Sequence, residues 1–312
     1  MDVVHRLEDF KYSGPVVLTQ GTFDGVHLGH QKILMRLSES AKKIGGKSVL
    51  LTFYPHPRLV LYPEDNELKL ITTLDEKAVW LRKYGIDSLI VLPFTRELSR
   101  IKPYDFVMML TQNIQIQKFI IGYDHRFGRN REGSITEIHE YSKIFNFEVE
   151  EIAEQDVDDC IISSSKIRTA ILDGDVALAH SFLGRYFDVS GKVIQGRQTG
   201  RVLGYPTANI KVSDPYKIMP KRGVYAVIVE LPMISSKTYT GMLNLGSRPT
   251  FELDQVVMEV HIFDFTDEIY GQEIKVSFVG RMREEIKFVD TEALTLQLQT
   301  DEIQAKKALL DI

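Results

Sequence analysis

The segment Gly21-Thr-Phe-Asp-Gly-Val-His-Leu-Gly-His30 combines spaced glycines with two histidines three residues apart. It follows an apolar run and opens a helical pattern, and a helix N-terminus offers unpaired N–H donors and partial positive charge to an anion. His27 and His30 share one helix face, so both imidazoles could donate hydrogen bonds to a phosphate whose charge grows in a transition state. Taken alone, such a pair is more often an ordinary helix start with partners in its loop.

A second segment, Ile161-Ile-Ser-Ser-Ser-Lys-Ile-Arg168, changes this balance. Its three serines can cap a helix, and its two basic residues would then oppose the helix dipole unless an anion lies between them. A solvated helix cap with incidental basic residues explains this segment about as well when it is considered alone. Both segments together favour a phosphate site, to which the turn Gly122–Gly128 adds Asp124 and Arg126.

The second half of the chain contains a glycine-rich segment that ends in Pro206-Thr-Ala-Asn209. This segment could form a flexible flap at Gly196, Gly200 and Gly204, whose backbone N–H groups bind phosphates. Its glycine content alone favours a β-hairpin with a glycine-rich turn. Thr207 and Asn209 point the same way along a strand, and their oxygens are hard ligands that suit Mg²⁺. Two polar residues on a strand are more often simply exposed.

Glu259 lies in an alternating segment that ends at Asp264. Alternation puts Val256, Met258, Val260 and Ile262 on one apolar face, which should line the interior of a barrel. Glu259 then lies on the opposite face among large apolar neighbours, where a carboxylate can act as a base. A solvated strand glutamate is the commoner case when no further context is given.

Longer motifs resemble a known family. Gly-x-Phe-Asp-Gly-Val-His-x-Gly-His, Thr52-Phe-Tyr-Pro-His-Pro57, the Gly122–Gly128 turn and Ser-Ser-Ser-x-Ile-Arg resemble the adenylyltransferase half of bacterial bifunctional FAD synthetases. Pro-Thr-Ala-Asn, Gly223-Val-Tyr225, Asn244-Leu-Gly-Ser-Arg-Pro-Thr-Phe251 and Glu259-x-His-Ile-Phe-Asp-Phe265, followed by Tyr270-Gly271 and Arg283-x-Glu285, look like their riboflavin kinase module. Two departures are His125, where many relatives have Phe, and Ser165, where they have Thr.

The resemblance implies a set of site residues and substrates. Catalytic roles fall to His27, His30 and Glu259, and Mg²⁺ binding falls to Thr207 and Asn209. Nucleotide binding falls to Gly21, Phe23, Asp24, Gly25, Ser163, Ser164, Ser165, Arg168, Gly196, Gly200, Arg201 and Gly204. Flavin binding falls to Pro55, His56, Pro57, Asp124, Arg126, Phe127, Tyr270 and Arg283. ATP would be the co-substrate, and riboflavin, FMN and FAD would be substrates or products.

Three other functions stay open at this point. The chain could keep only one of the two activities, or it could be a flavin-binding regulatory protein without chemistry. The first half could also adenylylate a nicotinamide or pantetheine phosphate, although the second half argues against that. His27, His30, Thr207, Asn209 and Glu259 together count against a simple binding protein, which has no need of transition-state donors and a base.

The elements that must position these residues follow from hydrophobic periodicity. Strands are predicted at Val16–Leu18, Val49–Phe53, Leu89–Leu92 and Lys118–Ile121, and helices at Gln31–Ile44, Asp75–Tyr84 and Tyr104–Gln112. The alternation predicts an α/β doubly wound parallel sheet for residues 1–183. Later strands at Asp188–Ile194, Gly223–Leu231, Thr238–Leu245, Val256–Phe265 and Glu273–Val279 predict a mainly-β antiparallel barrel for 184–312, with a C-terminal helix at Thr291–Leu310.

The amino-acid composition excludes several classes of function. The 312 residues are 44% hydrophobic and 26% charged, as expected of a soluble chain of about two domains. The net charge of −5 does not suggest nucleic-acid binding, and Cys160 is the single cysteine, which rules out an intrachain disulfide. The charged start Met1–Phe10 differs from a signal peptide, and no apolar run approaches membrane-spanning length. We therefore expect a cytoplasmic enzyme with small-molecule substrates, no nucleic-acid or membrane partner, and possible homo-oligomers.

Overall fold

The computed structural model describes the chain except residues 65–67, 123–126, 130–131, 153–161, 197–198, 235, 250–253 and 311–312. The chain forms two compact units, Met1–Ser164 and Ser165–Ile312. Within the described ranges, no helix is both long enough and apolar enough to cross a membrane.

The first unit contains a six-stranded parallel sheet with the strand order β1-β4-β3-β2-β5-β6. Its strands are β1 (Asp2–Val4), β2 (Val16–Gln20), β3 (Lys47–Tyr54), β4 (Ser88–Pro93), β5 (Ile116–Gly122) and β6 (Glu148–Ile152). Its helices are α1 (Leu28–Lys43), α2 (Pro57–Leu61), α3 (Leu74–Lys83), α4 (Pro103–Asn113) and α5 (Ile135–Phe145). The predicted doubly wound parallel sheet is confirmed.

Apolar layers cover both faces of this sheet. Successive residues of β2 illustrate the pattern, because Val16 and Leu18 join one buried cluster whereas Val17 joins the other. A strand with both faces covered is apolar throughout rather than alternating, which explains the short apolar runs in the sequence. Connections leave β2 and β5 in opposite directions, so a ligand crevice is expected at the carboxyl ends of these two neighbouring strands.

The second unit is a closed antiparallel barrel with helices outside it. Its strand order is β10-β11-β8-β7-β12-β9, and the barrel closes between β9 and β10. The strands are β7 (Phe187–Ile194), β8 (Ala208–Lys211), β9 (Gly223–Glu230), β10 (Thr238–Pro249), β11 (Asp254–Ile262) and β12 (Glu273–Arg283). The helices are α6 (Ser164–Asp173), α7 (Val176–Leu183), α8 (Thr199–Val202) and α9 (Thr291–Ala308). The predicted antiparallel barrel and C-terminal helix are confirmed.

Aromatic rings fill the barrel, and α9 packs against its outer surface. The rings of Tyr225 and Phe278 meet edge to face at 5.1 Å between centroids. On the outside, Ala305 and Leu309 of α9 belong to one buried cluster with Met242 of β10. The predicted alternation along β11 holds, because Met258, Val260 and Ile262 are buried.

The change from helices to strands and the boundary between the compact units lie at different points of the chain. The predicted boundary at 183/184 coincides with the end of α7. The compact units instead divide between Ser164 and Ser165, because α7 contacts β7 and β12 of the barrel. The elements that the sequence analysis did not predict are β1, α2, α5, α7 and α8.

Candidate active sites

The predicted histidine pair lies at the start of α1, after the loop that follows β2. The Nδ1 atom of His27 accepts a hydrogen bond from the His30 backbone N–H, with 3.4 Å between the nitrogens, so His27 caps the helix. The two imidazoles stack with 3.6 Å between centroids and 19° between ring planes. His27 therefore has the helix-start role that the sequence left open, and the bond favours the tautomer with its proton on Nε2.

His30 is held in a partly buried position between two rings. Its imidazole lies 4.6 Å from the Phe23 ring, measured between centroids. The Nδ1 atom of His30 is buried and has no hydrogen-bond partner within the described part of the chain. Burial lowers the pKa of the His30 imidazole well below its ordinary value, and electrostatic interactions with His27 and Lys77 lower it further. His30 is thus neutral at pH 7 and still carries one N–H donor.

The loop before α1 has a backbone conformation that few sequences adopt. Phe23, Gly25 and Val26 have φ values of 45°, 85° and 43°, and left-handed backbone at non-glycine residues costs about 1–3 kcal/mol each. The Asp24 carboxylate offsets this strain, because it accepts hydrogen bonds from the backbone N–H groups of Ile71 and Thr72, both at 3.1 Å. Asp24 therefore shapes the loop.

Lys77 is a buried residue of this site that the sequence analysis missed. Its Nζ donates a 2.7 Å hydrogen bond to the Thr22 carbonyl, and the residue is 9% exposed. Burial lowers the pKa of the Lys77 ammonium, while the Asp24 carboxylate opposes that shift. A signal was available, because Lys77 shares the helical face of Leu74 and Leu81, where an apolar residue would be expected.

The serine segment contributes a hydrogen bond to this loop. The Ser164 hydroxyl donates a 2.9 Å hydrogen bond to the Asp24 carbonyl. Ser164 is also the first residue of α6, so the predicted helix does begin in the serine run. Ser163 is partly buried, and Ser165 and Arg168 lie in the first turns of α6 with exposed and partly buried side chains respectively.

The residues predicted to bind flavin in this unit follow β3 and β5. The His56 Nδ1 atom accepts a 3.2 Å hydrogen bond from the Arg58 N–H and caps α2, and Pro57 is the first residue of that helix. Pro55 precedes them at the carboxyl end of β3. Phe127 is 4% exposed and packs in the core. Asp124 and Arg126 lie outside the described residues.

The second candidate site is a cavity of about 260 Å³ in the barrel unit. Residues of β9 to β12 and of α9 line it, so it lies between the outer face of the barrel and the C-terminal helix. Its polar lining residues are Tyr205, Thr207, Asn244, Glu259, His261, Arg283, Glu285 and Asp301. Its apolar lining includes Leu203, Val224, Met242, Leu243, Ile286, Phe288, Leu294 and Leu298.

Strand register places the predicted residues of this site in one row across the barrel. Asn209 of β8 pairs with Glu259 of β11, and Glu259 pairs with Asn244 of β10. The row continues through Val224 of β9 to Arg283 of β12. Directly paired residues of antiparallel strands project to the same face, so the Glu259 carboxylate has an amide side chain on either side. Asn244 is the polar member that the sequence analysis did not select as a site residue.

The glycine-rich segment forms α8 and a turn beside this row. Gly196 leaves no room for a side chain, because a Cβ there would collide with the Asn209 amide. The Tyr205 N–H donates a 2.8 Å hydrogen bond to the Gly200 carbonyl, and Gly204 adopts a φ of 81° that closes the turn. The segment is therefore a short helix and turn that presents Arg201 to solvent.

Arg283 lines the cavity and forms an ion pair with the C-terminal helix. Its Nε and Nη2 donate to the two carboxylate oxygens of Asp301 at 2.8 and 2.5 Å, and Nη1 donates to the Glu284 carbonyl. Asp301 is fully buried and also accepts from Gln297. The ion pair thus joins α9 to β12 and forms part of the cavity wall. Tyr270 is 43% exposed and does not line the cavity.

Removing Asp301 should test this structural role. We expect Asp301→Ala to lower the free energy of unfolding of the barrel unit by about 3–5 kcal/mol, because it leaves the Arg283 guanidinium without its carboxylate. Glu284→Ala is the control, since that carboxylate is exposed and lies 3.6 Å from its cationic partners; its loss should cost less than about 1 kcal/mol. Urea unfolding of both variants measures the difference, and equal effects would contradict the assignment.

The metal predicted at Thr207 and Asn209 has suitable ligand chemistry. The described residues contain no cluster of three or more histidine, cysteine or carboxylate side chains that could hold a metal by themselves. Thr207 lines the cavity, and Asn209 pairs with Glu259 beside it. Mg²⁺ needs only a few protein oxygens when phosphates and water complete its shell. These residues therefore fit Mg²⁺ better than a metal that requires a full protein cage.

Comparisons with known proteins match both units. A family model described as FAD synthetase matches residues 9–166, and one described as riboflavin kinase matches residues 183–309. A bifunctional riboflavin kinase/FMN adenylyltransferase of Listeria monocytogenes is 37% identical, covering 92% of this chain and 90% of its own length. Its namesake in Escherichia coli K12 is 32% identical, with coverages of 97% and 96%.

A solved structure extends the likeness to the fold of the whole chain. The crystal structure of a Streptococcus pneumoniae protein described as a macrolide-efflux protein has a TM-score of 0.87 and 30% identity, covering 97% of this chain and 98% of that chain. The efflux description applies to that protein. The two family models and the curated relatives agree over nearly the full length, and this chain therefore belongs to the family of bifunctional riboflavin kinase/FMN adenylyltransferases.

Proposed function

We propose that this chain makes FAD in two ATP-dependent transfers. Riboflavin and ATP give FMN and ADP in the barrel module, and FMN and ATP then give FAD and pyrophosphate in the parallel-sheet module. The observation that carries the proposal is the contrast between the two sites. Paired imidazoles at a helix start lie in one unit, and a carboxylate flanked by amides lies beside a cavity in the other.

Adenylyl transfer is assigned to residues 1–183. An oxygen of the FMN phosphate forms a bond to the α-phosphorus of ATP, and the bond from that phosphorus to the pyrophosphate oxygen breaks. The phosphate is already ionised at pH 7, so no general base is required, and catalysis depends on positioning and charge stabilisation. His27 and His30 would donate to the phosphates, while backbone N–H groups of the Gly21–Gly25 loop approach them.

The remaining residues of this module take the roles that the family resemblance implies. Ser163, Ser164, Ser165 and Arg168 would complete the nucleotide site, and Pro55, His56, Pro57, Asp124 and Arg126 would contact FMN. Asp24 and Phe23 would hold the loop in shape, given the bonds of Asp24 to the Ile71–Thr72 backbone. The buried Phe127 would support the flavin loop from the core.

Lys77 should matter to adenylyl transfer although it lies on α3. We expect Lys77→Met to slow conversion of FMN to FAD by about 10- to 100-fold, because the loop loses a charged hydrogen bond to the Thr22 carbonyl. Riboflavin phosphorylation by the same sample should be unchanged. Lys83→Met on the same helix is the matched control, since Lys83 is exposed. Normal FAD formation by Lys77→Met would remove Lys77 from the site.

Phosphoryl transfer is assigned to residues 184–312. The 5′-hydroxyl of the ribityl chain forms the new bond to the γ-phosphorus, the bond to the bridging oxygen breaks, and Glu259 accepts the hydroxyl proton. Gly196, Gly200, Arg201 and Gly204 would bind the nucleotide. Mg²⁺, held by Thr207 and Asn209 with the phosphates of ATP, would offset the negative charge of those phosphates.

The flavin end of the kinase site is assigned to the cavity. Its apolar walls suit an isoalloxazine ring, and Arg283 would maintain the wall through its pair with Asp301. Tyr270 would reach the flavin only after a movement toward the cavity. The cytoplasmic location and the absence of nucleic-acid or membrane partners stay predictions.

Product analysis tests the whole proposal. The chain is incubated with riboflavin, ATP and Mg²⁺, and in parallel with FMN, ATP and Mg²⁺, before flavins are separated by chromatography. We expect FMN and FAD from the first mixture and FAD from the second. If FMN accumulates in the first mixture and neither mixture gives FAD, only the kinase operates. If the second mixture gives FAD but the first gives no FMN or FAD, only the adenylyltransferase operates. If neither FMN nor FAD forms, the result would favour a flavin-binding protein without chemistry.

A further inference from the structure

The imidazole of His261 lies on the same outer face of β11 as Glu259, since alternate residues of a strand share a face. It is partly buried and lines the cavity. Tyr205 and Phe263 meet it edge to face, with 5.2 and 5.7 Å between ring centroids. Rings packed in this way have a preferred mutual orientation. The imidazole of His261 is therefore held in one orientation.

One nitrogen of this ring contacts the backbone next to Thr207. The His261 Nδ1 atom lies 2.8 Å from the Pro206 carbonyl oxygen. A carbonyl oxygen only accepts hydrogen bonds, so Nδ1 must carry a proton and donate it. In a neutral ring the other nitrogen, Nε2, is then unprotonated. The bond thus selects one of the two neutral tautomers of His261.

This hydrogen bond restrains Thr207 from its N-terminal side. The Pro206 carbonyl belongs to the peptide group that also contains the Thr207 N–H, and a peptide group is planar. On the other side of Thr207, the strand pairing begins, because Ala208 of β8 pairs with Val260 of β11. Thr207 therefore lies between a strand ladder and a peptide group that His261 orients.

A second hydrogen bond joins the same loop to the C-terminal helix. The Tyr205 hydroxyl donates to the Glu302 carboxylate of α9 at 3.0 Å, and Lys306 donates to the other oxygen of that carboxylate at 2.6 Å. Pro206, which follows Tyr205, has a fixed φ and no backbone N–H. The loop before β8 is thus anchored by a side chain at Tyr205 and by its carbonyl at Pro206.

We propose that His261 is a positioning residue of the kinase site, which acts on the metal and the nucleotide through Thr207. The inference rests on the proposed function, in which Thr207 and Asn209 hold Mg²⁺ together with the phosphates of ATP. Groups that orient a metal ligand contribute to the affinity of the site without touching the metal. Loss of the bond from His261 should therefore weaken binding of Mg²⁺ and nucleotide.

Leucine and asparagine at position 261 separate the hydrogen bond from the shape of the side chain. Both branch at Cγ and have the same number of non-hydrogen atoms, but asparagine has an N–H donor as many bonds from Cβ as Nδ1 of histidine. We expect His261→Leu to raise the KM for ATP in riboflavin phosphorylation by about 3- to 10-fold, the effect of one uncharged hydrogen bond. The change in kcat should be smaller.

The conservative variant and the second activity are the controls. His261→Asn should have a KM for ATP near the wild-type value, because its amide can donate to the Pro206 carbonyl. In both variants, the KM for ATP in FMN adenylylation should be unchanged, since that reaction is assigned to the other unit. Equal increases of the kinase KM in His261→Leu and His261→Asn would overturn the proposal.

Two NMR measurements on the full chain do not depend on turnover. In the ligand-free wild type, the nitrogen signals of the neutral His261 ring should be those of the tautomer with its proton on Nδ1. A proton on Nε2 would overturn the proposal, and this test needs no variant to fold. Titration with Mg²⁺ and ADP, followed at the Thr207 backbone signal, should give a dissociation constant that rises in His261→Leu and recovers in His261→Asn.

These results distinguish the positioning role from the proposed function. If the wild type formed no FMN, that function would be wrong, and the titration at Thr207 would still decide whether His261 controls nucleotide binding there. If the wild type forms FMN but His261→Leu binds Mg²⁺ and ADP as tightly as the wild type, only the positioning role of His261 is wrong.

Discussion

Replacement of Glu259 by glutamine is expected to lower riboflavin phosphorylation by about 10²- to 10⁴-fold, the usual contribution of a positioned general base. The ribityl hydroxyl is a poor nucleophile at neutral pH, so the reaction benefits from removal of its proton during attack. Glutamine keeps the size of the side chain and its hydrogen bonds, but its amide cannot take up that proton. The rate of FMN formation from riboflavin and ATP measures the effect.

Strand register is the reason for choosing Glu259 over Glu285, the other glutamate that lines the cavity. Glu259 pairs directly with Asn209, and paired Cα atoms of antiparallel strands lie only about 4.5–5.5 Å apart. If Asn209 holds Mg²⁺ and the phosphates, the ribityl hydroxyl that attacks the γ-phosphorus must bind close to Asn209. Glu259, which pairs with Asn209 from β11, is then within reach of that hydroxyl. Glu285 lies after the end of β12, close to Gly246 of β10.

Two controls make this result specific. Glu285→Gln should retain most riboflavin phosphorylation, and Glu259→Gln should still convert added FMN to FAD, which separates the two activities. Rapid phosphorylation by Glu259→Gln would exclude it as the base. A large loss in Glu285→Gln with little loss in Glu259→Gln would transfer that role to Glu285.

Removal of either histidine of the first site is expected to depress FAD formation. His27→Ala and His30→Ala should each slow the conversion of FMN to FAD by about 10²- to 10³-fold, the typical effect of losing one donor to a developing charge. Their riboflavin phosphorylation should be normal. His139→Ala is the control, because His139 is an exposed histidine of the same unit. Unchanged FAD formation in both alanine variants would defeat the assignment.

A further variant separates chemistry from helix capping at His27. Asparagine is a preferred N-cap residue, so His27→Asn should keep the bond to the His30 N–H while removing the imidazole. If the imidazole acts on phosphate, His27→Asn should be nearly as slow as His27→Ala. If His27 serves only as a cap, asparagine should restore activity, and that outcome would contradict a catalytic role.

The protonation state of His30 offers an independent measurement. Burial and neighbouring positive charge hold the pKa of His30 well below 6.5 in the folded chain. The unfolded chain takes up that proton first as the pH falls, so this residue makes the free energy of unfolding decrease below about pH 6.5. In NMR spectra, the ring signals of His30 should stay those of a neutral imidazole at pH 6. A His30 pKa near the ordinary histidine value would contradict its buried position beside His27 and Lys77.

Sequence periodicity was sufficient for features that depend on residues close together in the chain. The alternation of apolar runs and helical patterns predicted the parallel sheet, and the period of two along β11 placed Glu259 on the face away from the barrel core. The spacing of His27 and His30 likewise placed both at one helix start. These are consequences of local backbone geometry, which repeats every 2 or 3.6 residues.

Long-range contacts decided the remaining features. Strand register, which no local pattern specifies, aligned Asn209 and Asn244 with Glu259. The bond from Lys77 to Thr22 joins residues 55 positions apart, and Arg283 pairs with the buried Asp301, 18 positions further along the chain. Each depends on a partner brought close only by folding, because a buried charge must find an opposite charge or a hydrogen bond wherever the packed chain supplies one.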